Sequence, residues 1–155
     1  MHPNCAAVDA ILERAGVAGR VRILPDAAPT AAAAAAQLGV EVGAIANSLI
    51  FATAEDEPLL VLTSGAHRVD TKRVAALVGT ARLQRATPDF VKNVTGQVIG
   101  GVAPVGHPQP LRTLVDIALE AHPEVWAAGG IAHAVFPTTF AELVALTGGQ
   151  AVDVA

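Results

Sequence analysis

The runs IANSLIFAT (45–53) and PLLVLTSG (58–65), separated by the acidic turn AEDEP, constrain the architecture of this chain more than any other feature. Each is apolar and of strand length. A connection this short joins neighbours that must run antiparallel, so the pair predicts a β-hairpin. Around it, helix and strand signals alternate irregularly. Val8, Ile11, Leu12 and Ala15 fall at helical spacing within 5–17, where Gly16 ends the run. VRILP (21–25) reads as a short strand closed by proline, and Thr30 caps an alanine-rich helix over 31–38 that Gly39 stops. Asp70 caps a helix through Val78, and ARLQ (81–84) is a short strand. Thr87-Pro88-Asp89 combines a capping hydroxyl, a proline suited to the first helical position and an acid in the first turn, opening a helix that ends at Gly96. LRTLVDIAL (111–119), EVWAA (124–128) and AHAVF (132–136) are further strand candidates. Thr139 and Glu142 have capping-box spacing at the start of a last helix stopped by Gly148, and QAVDV (150–154) adds a final short strand. A hairpin among short helices and scattered strands predicts an α/β protein of α+β type, a mixed sheet with helices packed on it. No linker or composition break divides residues 1–155, which are expected to form one domain.

Apolar residues make up 52% of the chain and charged ones 15%, enough buried surface to offset chain entropy and exclude disorder. Aromatics are only 3%, so the core must fill with alanine, valine and leucine. No uninterrupted apolar run reaches the length of a membrane span. The N-terminal stretch lacks a basic segment and carries Asp9 and Glu13, unlike a secretory signal. The single cysteine, Cys5, forms no internal disulfide, is expected to pack, and fits a reducing cytoplasmic location. A net charge of −4 argues against a general nucleic-acid coat, and no DNA or membrane partner is expected. Arg68, Lys72, Arg73, Arg82 and Arg85 nevertheless crowd one segment with only Asp70 opposing them, either as a solvated helix face or as a patch facing phosphate.

Several common chemistries are missing. There is no phosphate-binding G-x-x-x-x-G-K-[ST] loop and no G-x-G-x-x-G fingerprint. The histidines never take metal-ligand spacing, and neither Ser48 nor Ser64 lies in G-x-S-x-G, so neither a metal centre nor a serine nucleophile is expected. What remains is TGQVIGGVAPVGHPQP (95–110), dense in glycine and proline. Gly100 and Gly101 allow close backbone approach, and Pro104 stiffens the chain behind them. One reading is a rigid wall of exposed amides for a carbonyl oxygen, phosphate or oxyanion. The other is a bulged strand and tight turn without a ligand. His107 has two readings as well: it orients a ribose or acts as a base, or it satisfies a loop carbonyl.

In order and separation, IANSLIF, LTSGAHRVDTKRVA, ATPDFVKNVTGQVIGGVAPVGH and EVWAAGG, followed by the last capped helix, resemble the YbaK/ProX family. These are freestanding relatives of the editing domain inserted in bacterial prolyl-tRNA synthetases. The likeness runs from about residue 20 to the end. It implies a mixed, partly closed β-sheet surrounded by short helices. It also implies trans-editing aminoacyl-tRNA deacylase activity without metal or cofactor, in which Gly100 and Gly101 present amides to the aminoacyl carbonyl and the adenosine 2′-hydroxyl helps activate water. A site lacking a nucleophile must work in this way, by orientation and polarisation. Thr30 and Ser48 fall at implied substrate positions, and Ala127, Ala128 and Gly129 become pocket walls. Capping alone also accounts for Thr30, and Trp126 is expected to fill core. The implied partners are the aminoacyl-tRNA 3′ end and a synthetase, and the implied substrate is a small, alanine-like residue on the tRNA for proline.

The chain departs from the family at Asn47, where most relatives carry a lysine. Asparagine is shorter and uncharged, so a charge-assisted contact is lost. Arg68 is the candidate surrogate. Two alternatives to the deacylase stand: a catalytically impaired module that binds the tRNA end or an aminoacyl nucleotide, and a small-metabolite binder holding an anion at the glycine wall.

Overall fold

The computed structural model describes all residues from Met1 to Ala155. Helix α1 (Pro3–Arg14) begins two residues earlier than its apolar spacing indicates, because His2 caps it through Nδ1, accepting the Asn4 N–H at 3.0 Å, and Pro3 suits the first turn. Strand β1 (Arg22–Ile23) and helix α2 (Ala31–Leu38) follow, then β2 (Ile45–Thr53) and β3 (Pro58–Ser64), which form the expected hairpin. Next come α3 (Thr71–Val78), β4 (Leu83–Arg85), α4 (Pro88–Thr95) and β5 (Arg112–Asp116). The segment 111–119 is only half strand. Asp116 folds its carboxylate back onto the Ala118 N–H at 2.9 Å and turns the chain into a short 3-10 helix, Ile117–Ala121. Strands β6 (Val125–Ala128) and β7 (Ala134–Thr138), helix α5 (Phe140–Thr147) and strand β8 (Gln150–Val152) complete the chain.

All eight strands join one mixed sheet in the order β1-β7-β6-β2-β3-β5-β8, with β4 attached to β2. The sheet is open, with β1 and β8 at its two ends. The β2–β6, β3–β5 and β5–β8 pairs are parallel and the others antiparallel. Strand alternation sends side chains to two cores. Ala46 and Ile50 of β2, Leu60 and Leu62 of β3 and Ala127 of β6 pack against Cys5, Val8 and Leu12 of α1, Val91 of α4 and Leu143 of α5. On the other face, Phe51, Leu59 and Val61 meet Val74 and Ala75 of α3, while Ile45 and Trp126 meet Ala34 and Ala35 of α2. The result is a three-layer arrangement with one sheet between two sets of helices. No helix is long and apolar enough to cross a membrane.

A forked strand edge as the candidate site

The site begins with a break in hydrogen bonding along β2. Ile45 accepts the Gly65 N–H at 2.8 Å and Thr53 donates to Glu57 at 2.9 Å, so odd-numbered β2 residues turn their peptide groups toward β3. Even-numbered residues therefore face the opposite edge, which two strands share. Strand β6 pairs with Ile45 and Ala46, and β4 pairs with residues 51–53, the Ile50 carbonyl also accepting the Ala86 N–H at 3.0 Å. Ser48 lies between them, and no ladder partner reaches its N–H or C=O on that side. The sequence enforces this gap. The next antiparallel donor after Ala86 falls at Pro88, which has no N–H and already starts α4. On the other branch, β6 ends at Ala128: Gly129 only continues the pairing with β7, donating to the Ala134 carbonyl at 2.8 Å, and Gly130, the next residue that would face β2, has φ 113° and gives its carbonyl to the Asn4 side-chain amide at 3.2 Å.

A cavity of about 260 Å³ opens at this fork. Pro29, Thr30, Ala31 and Ala34 wall it from the α2 side; Ile99, Gly100 and Val102 wall it from the glycine-rich loop; Trp126, Ala127 and Ala128 come from β6. Arg85 is the only charged side chain among the lining residues. Its exposed guanidinium lies 5.8 Å from the centre of the Phe51 ring. Two buried polar atoms of the lining, Ser48 Oγ and Trp126 Nε1, have no hydrogen-bond partner. Such orphans are uncommon in folded proteins and concentrate interest on the space they border. Register places them on opposite faces: Trp126 pairs with Ile45 on the α2 side, whereas Ser48 shares the face of Ala46 and Ala127.

Of the residues singled out from the sequence, Thr30, Asn47, Ser48, Gly100, Ala127 and Ala128 line this cavity. Thr30 also caps α2, accepting the Ala33 N–H at 3.2 Å, so it holds the cap while lining the cavity. The glycine pair divides. Gly101 donates its N–H to the Val98 carbonyl at 3.0 Å, closing a turn, and a Cβ there would stand 2.5 Å from the Ile131 carbonyl carbon. It is a packing glycine, and the expected wall of two bare amides reduces to one at this pair. Gly100 occupies the third position of that turn with φ 94°, and its N–H donates to no protein acceptor. The loop is pinned from behind: buried Gln97 accepts the Ala103 N–H at 2.7 Å, and Thr95 Oγ1 accepts the Gln97 N–H at 2.9 Å.

The remaining candidates lie elsewhere. Gly129 is buried in contact with Val21 and Ala134 and does not line the cavity. His107 borders a separate cavity beside Pro104 and Pro110, and its Nε2 meets the Ala103 carbonyl at 2.7 Å. Burial pushes its pKa below the ordinary value, partly offset by that hydrogen bond. Arg68 is exposed and outside the cavity. The basic segment splits as well: Arg73 pairs with Asp153 at 3.1 Å on the surface, while Arg85 alone reaches the site. Sequence reasoning places Arg85 only within the basic segment, preferring Arg68 at the site, and misses the Trp126 indole N–H and the Ser48 peptide, because strand pairing and not motif spacing brings the three together.

Residues 25–146 match the aminoacyl-tRNA editing domain family. The chain belongs to that family. A crystal structure described as a candidate trans-editing enzyme for prolyl-tRNA synthetase superposes with a TM-score of 0.91 at 43% identity, over 99% of this chain and 98% of the other. A Bacillus subtilis protein, YwhH, described as uncharacterised, is 30% identical over 110 residues, 71% of this chain and 69% of its own. A proline–tRNA ligase of Nitratidesulfovibrio vulgaris is 32% identical over 152 residues, 92% of this chain but 25% of the synthetase. These likenesses support an editing role for this editing-domain chain. No Cys, His, Asp or Glu is among the residues that line the cavity.

Proposed function

We propose that residues 1–155 act as one trans-editing deacylase domain, hydrolysing the ester that joins a small, alanine-like amino acid to the 3′-terminal ribose of tRNA, in the first instance the tRNA for proline. The observation that carries this is the unengaged Gly100 amide in a cavity walled by small residues at the fork of β2. In hydrolysis, the water oxygen bonds to the ester carbon, the carbon–ribose oxygen bond breaks and the ribose oxygen takes the proton. Charge gathers on the carbonyl oxygen in the transition state, where a fixed amide is worth most. The neighbouring ribose hydroxyl orients the water, because the protein offers no base there. Arg85, on the rim, takes the terminal phosphate in the place expected of Arg68. In the cell, the chain meets its substrate in the cytoplasm alongside a synthetase.

A second reading, a binding module without turnover, is favoured by one feature: Asn47 lines the cavity where the family's lysine is expected, leaving Arg85 as the only cation. Incubation with Ala-tRNA and Cys-tRNA for proline and with Ser-tRNA separates the two. The deacylase predicts loss of the alanyl ester well above the buffer rate, and Asn47→Lys is expected to raise that rate about tenfold, the worth of one charge-assisted contact. Binding of an aminoacyl-adenosine analogue without hydrolysis of any of the three esters establishes the second reading.

A further inference from the structure

On the edge away from β3, the peptide of Ser48 has no ladder partner: Pro88 has no N–H to offer from the β4 side, and the β6 ladder with β2 stops before Gly130. A β-strand residue pairs with such a position through its own N–H and C=O, each meeting its complement. An aminoacyl ester carries the same two groups on one carbon: an α-amino donor and a carbonyl acceptor. We infer that the aminoacyl group docks in the fork as a single-residue strand, its α-amino group donating to the Ser48 C=O and its ester carbonyl accepting the Ser48 N–H. This deepens the deacylase reading and rests on it.

Three features support the assignment. The cavity holds no carboxylate to receive an α-ammonium group, which leaves neutral oxygens as acceptors, and the Ser48 carbonyl among them is unclaimed by either flanking strand. The Ser48 N–H occupies one lone pair of the ester carbonyl and leaves the second for Gly100, which lines with Ser48 both the cavity and a small separate pocket beside Val91. Two donors then polarise the bond where one alone remained after Gly101 was consumed. Finally, directly opposed strand residues place their side chains on the same face. The side chain of an L-amino acid is thereby directed to the Ser48 side of the sheet, where the unpartnered Oγ lies. Ser48 positions the substrate through its backbone, whatever its side chain.

Amide hydrogen exchange of the 15N-labelled full chain tests this directly, with 3′-deoxy-3′-(L-alanylamino)adenosine as a non-hydrolysable probe. In the free protein the Ser48 amide is expected to exchange rapidly, between slowly exchanging Asn47 and Leu49, whose peptides bond β3. Saturation with the probe is expected to slow Ser48 at least about tenfold. The propanoylamino analogue, which lacks the α-amino group, is expected to bind about tenfold more weakly. Binding that shifts Gly100 and Trp126 but leaves Ser48 exchange unchanged overturns strand docking, as does equal affinity for the two analogues. Ala-tRNA hydrolysis by the same preparation reports on the deacylase reading separately: hydrolysis without Ser48 protection rejects the docking geometry alone, and absence of both hydrolysis and probe binding rejects both.

Discussion

Gly100 and Gly101 adjoin each other and are glycine for different reasons. At Gly101 the φ is ordinary, but the backbone of 131–132 crosses so closely that a methyl group has no room. At Gly100 the φ of 94° excludes most side chains, and the nearest obstacle to a Cβ is Pro29 at 3.2 Å. Gly101→Ala is therefore expected to cost about 1–3 kcal/mol through overpacking, seen as a lower urea midpoint. Gly100→Ala is expected to cost about the same through backbone strain and, under the proposed deacylase reading, also to disturb the amide offered to substrate, lowering deacylation per folded molecule. Equal activity in the two variants at matched folded fraction contradicts this division. At this scale, sequence identified the pair as special and could not separate its members, because a neighbour more than twenty-five residues downstream explains Gly101.

At the scale of elements, the segment after α4 behaves as a pinned loop. Gln97 holds one end, and His107 fastens the other by donating its Nε2–H to Ala103 as a neutral ring. Burial lowers the pKa of His107 from the ordinary value of 6.5. Below that pH the unfolded chain takes up a proton that the folded chain refuses, so stability falls as the solution is acidified and levels off beneath the folded pKa. His107→Gln removes this component, and its urea midpoint is expected to decline less steeply than that of the parent from about pH 6.5 downward. Matching slopes exclude the burial of a neutral ring as a stability determinant. Helix boundaries were legible in the sequence because caps are local: Thr30, Asp70, Thr87 and Thr139 each accept an N–H three residues on, and Gly39, Gly79, Gly96 and Gly148 each end a helix in the left-handed region. The strand after Pro110 stops short of its apolar run, which continues past Asp116, because the Asp116 carboxylate diverts the backbone into a 3-10 turn.

On the scale of the whole molecule, a net charge of −4 and a single cation among the residues lining the cavity leave little electrostatic attraction for tRNA. If Arg85 makes the one phosphate contact, the logarithm of the binding constant should fall with the logarithm of salt concentration at a slope of about −1, and Arg85→Gln should flatten it toward zero. A slope several times steeper brings further cations into the interface, Arg22 first, whose guanidinium lies 5.0 Å from the centre of the Trp126 ring in the cavity wall. The sequence by itself determined the hairpin, the helix caps, the mixed α/β class and the family, because each depends on residue type at short spacing or on ordered segments along the chain. Tertiary structure alone decided that two strands share one edge of β2, that Arg85 and not Arg68 reaches the cavity, and that Ser48 faces it with an unpaired peptide. Those outcomes depend on register between segments distant in the chain, where one residue of slip would turn every peptide and side chain the other way.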